Sequence, residues 1–76
     1  MKEGTIRIFR DKNNELRWSL DAKNGRNVAD CSQGYSGRRQ LNAGLAYQSR
    51  NHKVIDDSGK QRKTYPTLEY YLMGGV

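Results

Sequence analysis

The sequence predicts an α+β fold in which a β-β-β-α-β unit forms an antiparallel sheet with one helix packed on it. Three observations point there: apolar and polar residues alternate over Thr5 to Phe9 and again over Leu16 to Ala22, Asn24-Gly25 interrupts the alternation, and Leu41 and Leu45 stand four apart in a proline-free run. Period two marks a strand with one buried face, and the four-residue spacing gives a helix one apolar stripe.

In the first segment Ile6 and Ile8 point one way and Thr5, Arg7 and Phe9 the other, before the polar turn Asp11-Lys12-Asn13-Asn14. The second repeats the pattern, with Leu16, Trp18, Leu20 and Ala22 on one side and Arg17, Ser19 and Asp21 opposite. A helix would scatter these apolar residues around its circumference. Asn24 and Gly25 both tolerate positive φ, which a type I′ hairpin turn requires. From Arg26 to Ser32 the residues Val28, Ala29 and Cys31 do not alternate cleanly, so a short or bulged strand is expected. Ser36 then offers an N-cap for a helix over Arg38 to Arg50, whose stripe of Leu41 and Leu45 is broadened by Ala43, Ala46 and Tyr47. Gly44 inside it costs about 1 kcal/mol relative to alanine, which points to close packing at that position. Asn51-His52 ends the helix, and Lys53-Val54-Ile55 reads as a fourth, short strand before Asp56-Asp57-Ser58-Gly59.

The run IFRDKNNELRWSLDAKNG, followed by VADCSQGYSGRR and a helix ending at Arg50-Asn51, resembles one repeat of the YegP-like family of small uncharacterised proteins. The matching elements are Phe9 and Asp11 at the end of the first strand, Trp18 in the second, the Asn24-Gly25 hairpin, and the step Gly34-Tyr35-Ser36 into a helix carrying Gly44-Leu45. The resemblance covers roughly residues 5 to 57. Asn27, Gln48 and Cys31 depart from it, standing where an aliphatic residue, an apolar helix residue, and Ser or Thr are usual. It implies two β-β-β-α-β units that share a sheet and exchange their last strands. For a chain with one unit it therefore implies a homodimer, and it implies no activity.

Residues 1–57 are accordingly read as one domain and 58–76 as a basic linker with an aromatic tail. A chain of 76 residues with 34% hydrophobic residues and a mean hydropathy of −1.04 has little apolar surface to bury, which independently favours dimerisation. The single cysteine, Cys31, forms no internal disulfide, and no targeting segment or membrane span is evident, so a cytoplasmic setting is expected.

The net charge is +6, and the segment from Arg38 to Lys63 alone carries +5. Its cations Arg38, Arg39, Arg50, Lys53, Lys60, Arg62 and Lys63 are the residue types that release counterions from a phosphate backbone, so nucleic acid or a nucleoprotein is the first expected partner. Arg7 and Arg17 with Phe9, on the sheet face opposite the helix, offer a second basic surface, of a kind that can stack single-stranded bases. The bland alternative is that these charges only keep a small protein dissolved. In the tail, Tyr65, Leu68, Tyr71 and Leu72 are too apolar to stand in water, either as a helix of about two turns between Pro66 and Gly74-Gly75 or as a strand. They pack on the chain's own core or a dimer mate, or they form a partner-binding patch around Tyr65, Leu68, Tyr70 and Tyr71. The alternative function is thus an inhibitor or adaptor, of the phage or mobile-element type, acting on an acidic host protein. An enzyme ranks last: there is one histidine, His52, no paired-carboxylate or nucleophile setting, no phosphate loop, and only a fragment of a calcium-loop pattern at Asp56-Asp57-Ser58-Gly59, so neither cofactor nor metal is expected.

Overall fold

Two loops of one design fold the first three strands, β1 (Thr5–Arg10), β2 (Leu16–Asp21) and β3 (Asn27–Asp30), in the computed structural model, which describes residues 4–31 and 34–74. In the first loop Asp11 N–H donates to the Glu15 carbonyl at 3.0 Å and Asn14 N–H to the Asp11 carbonyl at 2.9 Å, with Asn14 at φ +64°. In the second, Ala22 N–H donates to the Arg26 carbonyl at 2.7 Å and Gly25 N–H to the Ala22 carbonyl at 2.9 Å, with Gly25 at φ +86°. Each is a three-residue loop closed by one left-handed residue. The second is therefore not the two-residue type I′ turn the sequence suggested. Asn24 stays out of the left-handed region, and its side-chain oxygen instead accepts the Arg26 N–H at 3.0 Å.

β3 is short, and its register against β2 shifts between Leu20 and Asp21, which is the expected bulge. The Asn27 amide fills the irregularity, donating to the Leu20 carbonyl at 3.4 Å and to Asp21 Oδ1 at 3.2 Å. A polar residue at position 27 thus does work that an aliphatic one does not. Ser32, the expected end of this strand, lies outside the described residues, as does Gly75.

Beyond β3 the chain returns to the second strand, where Tyr35 and Leu16 exchange backbone hydrogen bonds of 2.8 and 2.9 Å. The helix α1 (Arg38–Leu45) follows, with Gly37 as N-cap and no side-chain cap, so Ser36 does not play the expected role. It is also shorter than the sequence suggested. Ala43, Ala46 and Tyr47 are exposed, Tyr47 by 91%, so the buried stripe is Leu41 and Leu45 alone. With nothing to pack beyond Leu45, propensity cannot extend so short a helix, and it closes with a tightened turn from Gln48 N–H to the Leu45 carbonyl at 2.9 Å. A Cβ on Gly44 would lie 2.6 Å from Tyr35 Oη, which accounts for glycine in mid-helix.

The crossover through α1 returns the chain to the end of the sheet where β1 began, so β4 (Lys53–Asp56) pairs parallel to β1, in register Thr5↔Lys53, Ile6↔Val54 and Arg7↔Ile55. The sheet is therefore mixed, in the order β3-β2-β1-β4-β5. Its last member, β5 (Lys63–Tyr65), is antiparallel to β4 and leads into α2 (Leu68–Leu72), where Thr67 Oγ1 accepts the Tyr70 N–H at 3.1 Å. The tail is thus strand and then helix, with Pro66 just ahead of the cap and Gly74 just after the C-terminal turn at φ +96°. One core, on one side of the sheet, collects Ile6, Ile8, Leu16, Trp18, Leu20 and Val54 from the strands, Leu41 and Leu45 from α1, and Leu68 and Tyr71 from α2. No helix among the described residues is long and apolar enough to cross a membrane.

Candidate nucleic-acid interface

The alternation that turns Ile6, Ile8, Trp18, Leu20 and Val54 inward sends the intervening residues to the other face, which neither helix covers. Cross-strand register sets their neighbours. Arg7 stands between Ser19 and Ile55, Phe9 faces Arg17, and Thr5 stands between Asp21 and Lys53. At the end of this face where β1 and β4 start, the loop after β2 rises beside them and an open cleft of about 400 Å³ forms, lined by Thr5, Arg7, Asp21, Lys23, Lys53 and Ile55 among others. It holds three cations and one carboxylate. Asp21 Oδ1 accepts from the Asn27 amide, and none of Arg7, Lys23 and Lys53 is in an ion pair among the described residues.

Carboxylates flanking this face are matched by other arginines. Asp11 Oδ2 lies 2.7 Å from Arg17 Nε, and Asp11 Oδ1 accepts the Asn13 and Glu15 N–H groups. The Arg17 hydrogen bond, with that of Glu15 behind it, holds the Asp11 carboxyl below the usual aspartate value. Asp57 receives both arms of the Arg62 guanidinium at 3.0 and 3.1 Å, and this pairing lowers its pKa, with the charge of Arg7 contributing. With these acids engaged, the charge left open on the face is positive.

The seven cations named from sequence are not gathered into one stripe. Lys53 is on the uncovered face. Arg38 belongs to the packed side, where it donates to Asp56 Oδ2 at 3.1 Å, to Tyr71 Oη at 2.8 Å and to Ser58 Oγ at 2.7 Å. Lys63 stands opposite Asp56 on the edge strand near it. Arg62 is bound to Asp57. Arg39 and Lys60 are exposed and in no ion pair among the described residues, and the exposed Arg50 reaches the Ala46 carbonyl at 3.5 Å. Of the tail residues, Leu68 and Tyr71 are buried, Tyr65 is half-buried with its ring 5.1 Å from that of Tyr71 in edge contact, and Tyr70 remains exposed. His52 joins the first strand to the fourth, its Nδ1 accepting the Gly4 N–H at 2.9 Å.

Lys23 was not legible as a site residue. Its nearness to Lys53 depends on the parallel pairing of β1 with β4, two strands separated by the whole of β2, β3 and α1, and no local pattern encodes that. Arg7 carried a signal, the polar phase of the first strand's alternation.

Residues 11–46, from the first loop through α1, match the family model of a domain of unknown function, DUF1508. No curated protein and no solved structure matches the chain significantly.

Proposed function

We propose that this chain, a member of the DUF1508 family and hence of the YegP-like proteins its sequence resembles, is a non-enzymatic binding protein that holds nucleic acid against the uncovered face of its sheet. The observation that carries this reading is the cleft where Arg7, Lys23 and Lys53 stand around one hydrogen-bonded aspartate, with the half-buried Phe9 and Ile55 on the same face. Unpaired cations gathered around one cleft suit the phosphates of a nucleic-acid backbone, and a ring beside an arginine suits an unstacked base. A single strand fits such an open sheet better than a duplex, whose bases are turned away from it.

Fluorescence anisotropy with single-stranded DNA and RNA oligonucleotides tests the proposal. Three phosphate contacts give an affinity that falls with salt at a log–log slope of about −2. The triple variant Arg7→Ala, Lys23→Ala, Lys53→Ala is expected to lose most of that slope. Absence of binding at low salt, or the same slope in the triple variant, ends the proposal.

A homodimer belongs to the same reading. The outer edge of β3 has no partner strand among the described residues and carries Val28, 61% exposed, so a second copy added there would set two uncovered faces side by side. Analytical ultracentrifugation checks it, with Val28→Lys expected to return a dimer to monomer. The adaptor reading keeps Tyr70 and Met73 as exposed apolar groups of the tail. Affinity purification in parallel with nuclease treatment separates the two: a partner retained after nuclease favours the adaptor.

A further inference from the structure

On the packed side of the sheet, between α1, β4, β5 and α2, lies a second open pocket of about 320 Å³, lined by Arg38, Asn42, Asp56, Lys63, Tyr65, Tyr71, Leu72 and Gly74. We infer that this pocket binds a small molecule in which an oxyanion is joined to a flat apolar group.

The inference rests on which polar groups are already used. Asp56 accepts three hydrogen bonds, from Arg38, from the Ser58 N–H and from Ser58 Oγ. Tyr71 Oη accepts from Arg38 and donates to Asn42 Oδ1 at 2.7 Å. The charge of Asp56 is thus matched by Arg38 and its acceptor capacity is largely filled. Lys63 faces Asp56 directly across the β4–β5 ladder and has the register of its natural partner. Yet it forms no ion pair or side-chain hydrogen bond among the described residues, because Arg38 from α1 has taken that carboxylate. The Asn42 oxygen is engaged by Tyr71, so the Asn42 amide N–H₂ is its unused end.

Two donor groups with unmet capacity, one of them cationic, therefore line the same cavity, and its only carboxylate is neutralised. The net charge offered is positive. Tyr65 and Leu72, both half-buried, supply the apolar part of the wall, and the Tyr65 ring is held by its edge contact with Tyr71 and a tilted one with Tyr70 at 6.3 Å. The volume lies at the lower end of the range for small-molecule sites, enough for one anionic group and one ring. Phosphate and carboxylate share this chemistry.

The test is an amide NMR titration of the full chain with phenyl phosphate, inorganic phosphate and benzoate, each against sodium chloride at matched ionic strength. Saturable shifts are expected at Asn42, Lys63, Tyr65, Tyr71 and Leu72, including the Asn42 side-chain amide. A ring-bearing anion should bind tighter than inorganic phosphate, and whether phenyl phosphate or benzoate binds better identifies the anionic group. Lys63→Met should weaken binding at least tenfold while the spectrum keeps its dispersion, with Lys63→Gln as a second variant, and Arg7→Ala should leave it unchanged. Shifts that do not saturate, that chloride reproduces, or that persist at full strength in both Lys63 variants overturn the inference.

Discussion

The two faces of the sheet are built from alternate residues of the same strands, yet Arg38 on one and the cations of the cleft on the other are held differently. On the packed side Arg38 is tied to Asp56, Tyr71 and Ser58 in one network, and Tyr71 passes it on to Asn42. On the uncovered side Arg7, Lys23 and Lys53 gather around a cleft without an ion pair among the described residues. Burial explains the contrast. Asp56 is buried beside the core and must be matched because desolvating an unpaired carboxylate is costly, whereas Arg7, Lys23 and Lys53 face water, carry no such requirement and stay available to a ligand. Stability should therefore be sensitive to the network around Asp56, and nucleic-acid binding to the uncovered face.

The strongest way to break that contrast is Leu68→Ala. Leu68 is fully buried and joins the tail to the core, so its truncation is expected to cost about 2–5 kcal/mol in urea denaturation. A loss below 1 kcal/mol would mean that the tail is not part of the folded unit. Tyr71→Phe keeps the ring but removes the hydroxyl between Arg38 and Asn42, and the expected loss is about 1–2 kcal/mol. Burial is the largest influence on Tyr71 and raises its pKa, with Arg38 opposing. The neutral phenol is thus favoured by folding, and the resulting stabilisation is present below the ordinary tyrosine value and lost as pH rises through the higher folded value. Wild-type stability should decline above about pH 10. That component of the decline should be missing from Tyr71→Phe, and identical alkaline profiles would contradict it.

A smaller effect is expected at the second loop. Gly25→Ala places a side chain at φ +86° and should cost about 1 kcal/mol, although nothing lies near enough to clash. Smallest in stability is Arg7→Ala on the uncovered face, expected within about 0.5 kcal/mol of wild type in the same denaturation experiment. The oligonucleotide affinity of that variant should nonetheless fall. A large stability loss would show that Arg7 is structural and would remove the contrast between the faces.

How far the fold is legible in sequence follows from the same distinction. The strands β1 and β2 are plain because each alternates against water on one side and core on the other. The helix boundary is not, since Ala43, Ala46 and Tyr47 fit an apolar stripe in projection but have no surface to meet. The Asn24-Gly25 pair announces a hairpin, yet the type of loop depends on where the flanking strands stop pairing, which the dipeptide does not set. The tail's burial is announced by its composition, while its division into β5 and α2 depends on the free edge of β4. Of the candidate site, the basic character is legible and its distribution is not, because Arg38 and Arg62 acquire partners only through tertiary contacts.

The parallel pairing of β1 with β4 also bears on how the chain reaches this structure. The β1–β2 hairpin closes over three residues and can form early, but β4 must wait for a loop of more than thirty residues to close, and closing a longer loop costs more entropy. The edge of β1 that later receives Val54 and Ile55 is bare during that interval. A nascent chain emerging from a ribosome would thus carry an unsatisfied, partly apolar strand edge until β4 has followed it out, and β5 then covers the edge that β4 in turn leaves open.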